Sequence, residues 1–162
     1  MKQVMTAAAV AVALLLAGCG KSDAQRALET GLNDEITKMH DAGMGLYNQA
    51  KDLTGQIDAA IASHDSLANK YAKKFTGHSA DDLRAAKDKV TAAMASMDAW
   101  MKDLKPYDPE VPHEQVLVSL NKTKDDVMKV KADLEGAIGG AMASMDAHKA
   151  FVEQALKGVA KK

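Results

Sequence analysis

The sequence has one cysteine, three prolines and few aromatic residues, which make up 4% of its 162 residues. A single cysteine cannot form an internal disulfide bond. All three prolines lie within residues 106–112, and long alternating strand patterns are absent, so a helical fold is expected. A formal net charge of −1 gives no reason to expect nucleic acid as a partner.

Catalytic patterns are lacking as well. The sequence shows no Ser/His/Asp signature, no glycine-rich phosphate loop and no Cys-x-x-Cys-His motif. The acidic pairs Asp81–Asp82 and Asp125–Asp126 are expected on helix surfaces. They lack the Glu-x-x-His sequence that di-metal helical bundles use. We therefore predict that the protein is not an enzyme.

The first 18 residues are typical of a cleaved signal peptide. Lys2 provides a basic start, and Val4–Leu16 is an uncharged, mostly apolar run of 13 residues. This length suits the core of a signal peptide and is too short to span a bilayer. The apolar run leads directly into the sequence Leu16-Ala17-Gly18-Cys19.

That sequence resembles the lipobox of bacterial lipoproteins. The resemblance implies cleavage before Cys19 and acylation of its thiol and new amino group, which gives durable membrane anchoring. Residues 19–24 would then form a lipidated tether. Gly20, rather than Asp, follows the cysteine, which favours the periplasmic face of the outer membrane over the inner membrane.

Residues 25–162 carry apolar residues in alternating steps of three and four, the spacing of helices with coiled-coil-like packing. Helices are predicted at about Gln25–Lys74, Ala80–Leu104 and His113–Gly158. Gly77 suits a helix stop and Ser79 an N-cap. We predict an all-α fold, an antiparallel up-down-up bundle of three long helices. The first helical seam comprises Leu32, Ile36, Met39, Gly43, Leu46, Ala50, Leu53 and Ile57.

The third helix contains an interruption in this spacing. Its seam shifts by one residue after Leu134, a four-four step that locally unwinds a supercoil. Gly136, Gly139 and Gly140 lie at the shift. A turn there would create a fourth helix, but continuity is favoured because glycine without proline or asparagine is a weak stop signal.

Methionines are concentrated at three places. Of the eight methionines beyond the signal peptide, seven lie within residues 39–44, 93–101 and 141–148. Residues 93–99 and 141–147 both read Ala-Met-Ala-Ser-Met-Asp-Ala. The favoured interpretation is core packing, because Met adapts to irregular gaps and Gly43 on the seam makes room for a neighbouring helix.

A Cu(I) site is the alternative interpretation, because thioether and imidazole ligands suit that ion. The candidate ligands are His40, Met44, Met97 and Met101. Counting back around a turn near residue 71 places Met44 level with residue 98. A continuous third helix would place Met145 level with the first turn, far from Met44. The favoured interpretation therefore expects no cofactor, with copper as the alternative; a haem held by Met39 and His148 is disfavoured because the two residues would lie at different levels.

Four histidines outside this group have simple expected roles. His64 and His148 occupy seam positions and are expected to be buried or half-buried, whereas His78 and His113 lie in turns and are expected to be solvated. The proline-rich stretch after the second helix is expected to be an extended, stiff spacer.

Three short motifs carry a resemblance to a family. Met39-His40-Asp41, Met97-Asp98-Ala99-Trp100-Met101 and the Lys-rich stretch Asn121–Lys131 resemble a group of small helical lipoproteins of Gram-negative bacteria. The resemblance covers about residues 34–135, supports the class and implies no functional residues. We predict a lipid-anchored envelope protein with a non-enzymatic binding or structural role. Its partner would be an envelope protein or a second copy; the alternative is a periplasmic copper-binding lipoprotein.

Overall fold

The computed structural model describes residues 20–157, so the predicted signal peptide and lipobox, including Cys19, lie outside the described residues. The chain forms three helices, α1 (Asp23–Lys70), α2 (Asp81–Asp103) and α3 (His113–Leu156). Each helix packs against both others, and no strand occurs in residues 20–157. The predicted all-α, up-down-up bundle of three long helices is confirmed.

A capping box fixes the start of α1. The Ser22 side chain accepts a hydrogen bond from the Gln25 backbone N–H at 3.2 Å, and the Gln25 side chain accepts one from the Ser22 backbone N–H at 2.9 Å. Consequently α1 begins at Asp23, two residues before the predicted start. It ends at Lys70 and is followed by a short 3-10 turn, Ala72–Lys74.

The connection between α1 and α2 turns at Gly77, whose φ of +79° is a left-handed conformation that glycine adopts without steric cost. The predicted helix stop is therefore found. Ala80, rather than the predicted Ser79, is the N-cap residue of α2. The Ser79 hydroxyl nevertheless accepts a hydrogen bond from the Asp81 backbone N–H at 3.3 Å.

Helix α3 continues through Gly136, Gly139 and Gly140 without a turn. Its buried positions run Leu134, Ile138 and Ala141, so the predicted four-residue step after Leu134 is present. The side chains on both sides of this step remain directed at the core, as a stutter allows by locally unwinding the supercoil. The favoured continuous helix is confirmed over the alternative with four helices.

The two ends of the bundle differ. The open end comprises the start of α1, the segment 104–112 and the start of α3; the closed end comprises the α1–α2 connection and the last turns of α3. Between them lies one continuous apolar core drawn from all three helices. Within residues 20–157, none of the helices combines the length and apolar character that a membrane span needs.

Candidate functional site

Helices α1 and α2 approach each other closely at Gly43. A Cβ atom built on Gly43 would lie only 2.5 Å from the terminal methyl carbon of Met97, which is completely buried. Nearby, the Tyr47 hydroxyl donates a hydrogen bond to the Asp98 carboxylate at 3.3 Å. These two contacts bracket Met44 and place it level with residues 97–98, as the sequence predicts.

The four predicted copper ligands have different environments. His40 is half-buried, with its ring centroid 5.8 Å from that of Trp100, whereas Met97 belongs to the fully buried core. Met44 and Met101 are partly buried and pack against that core. Within residues 20–157, no group of three His, Cys, Asp or Glu side chains could hold a metal ion. A metal at His40 would therefore depend on the methionine sulfur atoms.

The position predicted for Met145 is wrong. Met145 lines a surface groove together with Leu53 and Gln56 of α1, rather than lying beside the α1–α2 turn. The cause is the segment 104–112, which carries the chain beyond the end of α2, so that His113 at the start of α3 contacts Glu29. Met145 still lies far from Met44. Its neighbour Leu53 is nine helical residues from Met44 along α1, a distance of ~14 Å.

A mostly apolar cavity lies at the open end of the bundle. It has a volume of about 360 Å³ and is bounded by α1, the end of α2, the segment 104–112 and the start of α3. His40, Thr37, Tyr107 and Gln115 add polar groups to its wall. Its apolar lining includes Ile36, Trp100, Leu104, Pro106, Val111 and Val116.

Behind this cavity lies a buried carboxylate, Glu29, whose side chain has no solvent exposure. It accepts hydrogen bonds from the Lys21 ammonium at 2.7 Å and from the Tyr107 hydroxyl at 2.6 Å. The second carboxylate oxygen lies 2.7 Å from Nδ1 of His113. Glu29 thus joins the start of α1, the cavity wall and the start of α3.

These partners determine the charge of the carboxyl group. Burial alone raises the pKa of Glu29, but the hydrogen bonds from Lys21, Tyr107 and His113, with the Lys21 charge, outweigh burial and lower the pKa to about 2. The hydrogen bond between Tyr107 and Glu29, followed by burial, raises the pKa of the Tyr107 hydroxyl. Glu29 is therefore an anion at neutral pH and orients Tyr107 in the cavity wall.

Glu29 and Tyr107 are absent from the site residues that the sequence predicts. The predicted seam starts at Leu32, yet Glu29 lies three residues earlier in the same helical phase, so a carboxylate at a core position was the available signal. His113, expected to be solvated, has only 13% of its side chain exposed. That expectation is wrong because the imidazole contacts the buried Glu29 carboxylate.

The closed end contains an aromatic cluster, which we define as His64, Phe75, His78, His148 and Phe151. His64 is only 3% exposed, and its Nδ1 has no hydrogen-bond partner among residues 20–157. Its ring centroid lies 5.1 Å from that of His148 and 5.2 Å from that of Phe75. The burial expected for His64 and His148 is found, and the exposed His78 stacks on Phe151.

Comparison with protein-family models, with curated proteins and with solved structures finds no match for this chain. A functional assignment therefore depends on the geometry of the open-end cavity and on the sequence of the first 19 residues.

Proposed function

We propose that the protein is a lipid-anchored, non-enzymatic binding protein of the bacterial cell envelope, with the open-end cavity as its binding site. The Leu16–Cys19 sequence supports the anchor and a periplasmic location, with the outer membrane favoured. The observation that carries the binding role is the cavity itself. Its volume of about 360 Å³ lies within the range of small-molecule sites, which are concave and mostly apolar with a few oriented polar groups.

The cavity wall is held in place by the Glu29 hydrogen bonds. Tyr107, which lies in the segment 104–112, packs against the core, and its hydroxyl is tied to α1 by the hydrogen bond to Glu29. A rigid wall reduces the entropy lost on binding, so a ligand can be held without first ordering the site. Burial of the apolar lining supplies the driving force for a small, largely apolar ligand.

Binding is tested with N-phenylnaphthylamine, an uncharged apolar fluorophore, and the protein lacking residues 1–19. Trp100 is the only tryptophan and lies in the cavity wall, so a bound probe should quench its emission by energy transfer. Ser119→Leu places a larger side chain at the cavity wall and should weaken binding about tenfold. Absence of energy transfer, or equal binding by this variant, would contradict the proposal.

The matched control is Ser66→Leu. Ser66 is also an exposed helical serine, on α1 well away from the cavity, so its substitution adds the same apolar volume without touching the site. Probe affinity should equal that of the unaltered protein. Helical circular dichroism of both variants distinguishes a blocked cavity from a damaged fold.

The anchor has its own test. Bacteria that express the full chain and are fed labelled palmitate should transfer the label to the protein, and Cys19→Ser should abolish transfer. Label retained by the serine variant, or none on the full chain, would contradict lipidation at Cys19 whatever the cavity binds. Sucrose-gradient separation of the two membranes then tests the outer-membrane location.

A Cu(I) site is the second candidate, favoured by the half-buried His40 next to Trp100 and level with the methionines of α2. A titration against a competing Cu(I) chelator, followed by Trp100 fluorescence, tests it. The double variant Met44→Leu/Met101→Leu should lose the ion, whereas Met142→Leu, at a half-exposed position on α3, should keep it. Copper binding that survives the double variant, or is absent from the start, removes this candidate.

A further inference from the structure

A second recess adjoins the open-end cavity. It has a volume of about 500 Å³ and lies between the C-terminal part of α2 and the first half of α3. Trp100, Leu104, Lys105, Ser119 and Thr123 border both spaces. The two recesses therefore meet along one wall, with the indole of Trp100 at the boundary.

The second recess differs from the first in its charges, so we call it the charged recess. Three lysines and three aspartates line it, which gives a balanced charge: Lys105, Lys122, Lys129, Asp103, Asp126 and Asp133. An ion pair joins Lys122 to Asp126.

The remaining four charges are available to a ligand. In the part of the chain that the structure describes, the ion pairs within 4 Å do not include Lys105, Lys129, Asp103 or Asp133. These four residues therefore provide two cations and two anions around a recess that opens beside an apolar cavity. A uniformly anionic or cationic ligand would meet as many like charges as opposite ones.

We propose that the ligand is a single-chain zwitterionic amphiphile, with its chain in the open-end cavity and its headgroup in the charged recess. This inference rests on the proposed binding function and deepens it. The phosphate of such a headgroup would pair with a lysine of the charged recess and its ammonium with an aspartate, as Lys129 and Asp133, one helical turn apart on α3, could do together. Single-chain phospholipids have this chemistry, and the proposed lipid anchor would hold the protein at a membrane that contains them.

The indole at the boundary fits this arrangement. Trp100 is largely buried, and tryptophan suits positions where an apolar environment meets a polar one. An apolar molecule alone would leave the charged recess hydrated, and a free headgroup alone would leave the cavity unfilled. A molecule with both parts uses both recesses and gains affinity from their covalent connection.

The test uses four decyl compounds. Decylphosphocholine, decyl sulfate and decyltrimethylammonium are kept below their micelle concentrations, and decanol is kept below its solubility limit. Affinities are measured from Trp100 fluorescence with the protein lacking residues 1–19. We expect decylphosphocholine to bind about tenfold more tightly than the other three, the gain expected from one or two partly screened ion pairs. Equal affinity for decanol and decylphosphocholine would overturn the headgroup site.

Two single substitutions provide a reciprocal test. Lys129→Ala leaves the charged recess net negative and should shift the preference toward decyltrimethylammonium, whereas Asp133→Ala leaves it net positive and should shift the preference toward decyl sulfate. Lys102→Ala is the matched control, because Lys102 is exposed on α2 and lines neither recess. Unchanged preferences in both charge variants, or an equal shift in the control, would contradict the proposal.

The two proposals fail in different ways. Binding of N-phenylnaphthylamine and decanol without any preference among headgroups contradicts the amphiphile proposal and leaves the cavity proposal intact. Failure of every apolar compound to bind contradicts both. Binding of decylphosphocholine that persists in Ser119→Leu, with the headgroup preference unchanged, would also overturn the assignment of the chain to the open-end cavity.

Discussion

At the scale of single residues, Glu29 shows how a charge can occupy a helical core position. A buried carboxylate loses its hydration, and only hydrogen bonds and opposite charge can offset that cost. Lys21, Tyr107 and His113 supply three partners from three parts of the chain. The carboxylate therefore favours the fold in which these three segments meet around it.

Glu29→Gln should lower the urea midpoint of unfolding and remove an acid-dependent component of stability. The Glu29 pKa is about 2 in the folded protein against an ordinary value of 4.5, so the unfolded chain binds the proton first as pH falls. The stabilisation is complete above pH 4.5 and is lost between pH 4.5 and pH 2. Urea titrations at several pH values measure it.

The control for that substitution is Glu35→Gln, which removes a partly exposed carboxylate paired with Lys124. Surface ion pairs contribute ~0–1 kcal/mol, so its midpoint should change little. Equal effects of the two glutamine substitutions would show that the Glu29 network has no special role in stability.

Gly43→Ala should destabilise the bundle because its methyl group would overlap the buried Met97 side chain. Overpacking of a core costs ~1–3 kcal/mol, although a flexible methionine absorbs part of the strain. Gly45→Ala on the same helix has no atom within 4 Å of the new Cβ and should stabilise by ~0.5–1 kcal/mol. Thermal unfolding compares them, and effects of the same sign would contradict the close contact.

At the scale of elements, the helices could be predicted from the seam because each one buries a stripe of residues three and four apart, which in α3 shifts once, after Leu134. The register of α3 could not, because it depends on how far the segment 104–112 extends beyond α2. That distance is fixed by the contacts of Tyr107 and His113 with Glu29, which no local spacing encodes. The cavity could not be predicted from the sequence for the same reason, because the segment 104–112 forms one of its walls.

The glycines of α3 allow a prediction for this element. Gly136, Gly139 and Gly140 are helical, and nothing lies within 4 Å of a Cβ built on any of them. Replacing all three with alanine should raise the free energy of unfolding by up to ~3 kcal/mol and raise the melting temperature. Gly77→Ala is the contrasting variant: its φ of +79° strains an alanine, so it should destabilise. A lower melting temperature of the triple variant would show that the helix needs flexibility where its seam shifts.

At the scale of the whole molecule, the two ends of the bundle are held by different chemistry. A carboxylate with three polar partners joins the elements of the open end, whereas aromatic rings join the α1–α2 connection to the last turns of α3. Phe75 is buried and packs edge-on against Phe151, with ring centroids 5.2 Å apart. The two ends should therefore lose stability over different ranges of pH.

Mild acid should loosen the closed end first. Burial, followed by the neighbouring His64, lowers the pKa of His148 below its ordinary 6.5, so the unfolded chain binds this proton before the folded chain does. The stabilisation is complete above pH 6.5 and declines as pH falls from 6.5 toward the lower folded value. His78 belongs to the same cluster, and Asp82 lines the adjoining surface recess, but no carboxylate within residues 20–157 is hydrogen-bonded to His64 or His148.

After correction for the intrinsic exchange rate, which falls as pH falls, hydrogen exchange should therefore show less protection at pH 5 than at pH 7 in the last turns of α3, while protection at the open end stays constant. His148→Leu places an apolar side chain at this position and removes the titrating group. Protection in the same turns should then no longer fall between pH 7 and pH 5. Simultaneous changes at both ends would mean that the bundle opens as one cooperative unit. Acid-dependent opening that persists in His148→Leu would assign the effect to a group other than His148.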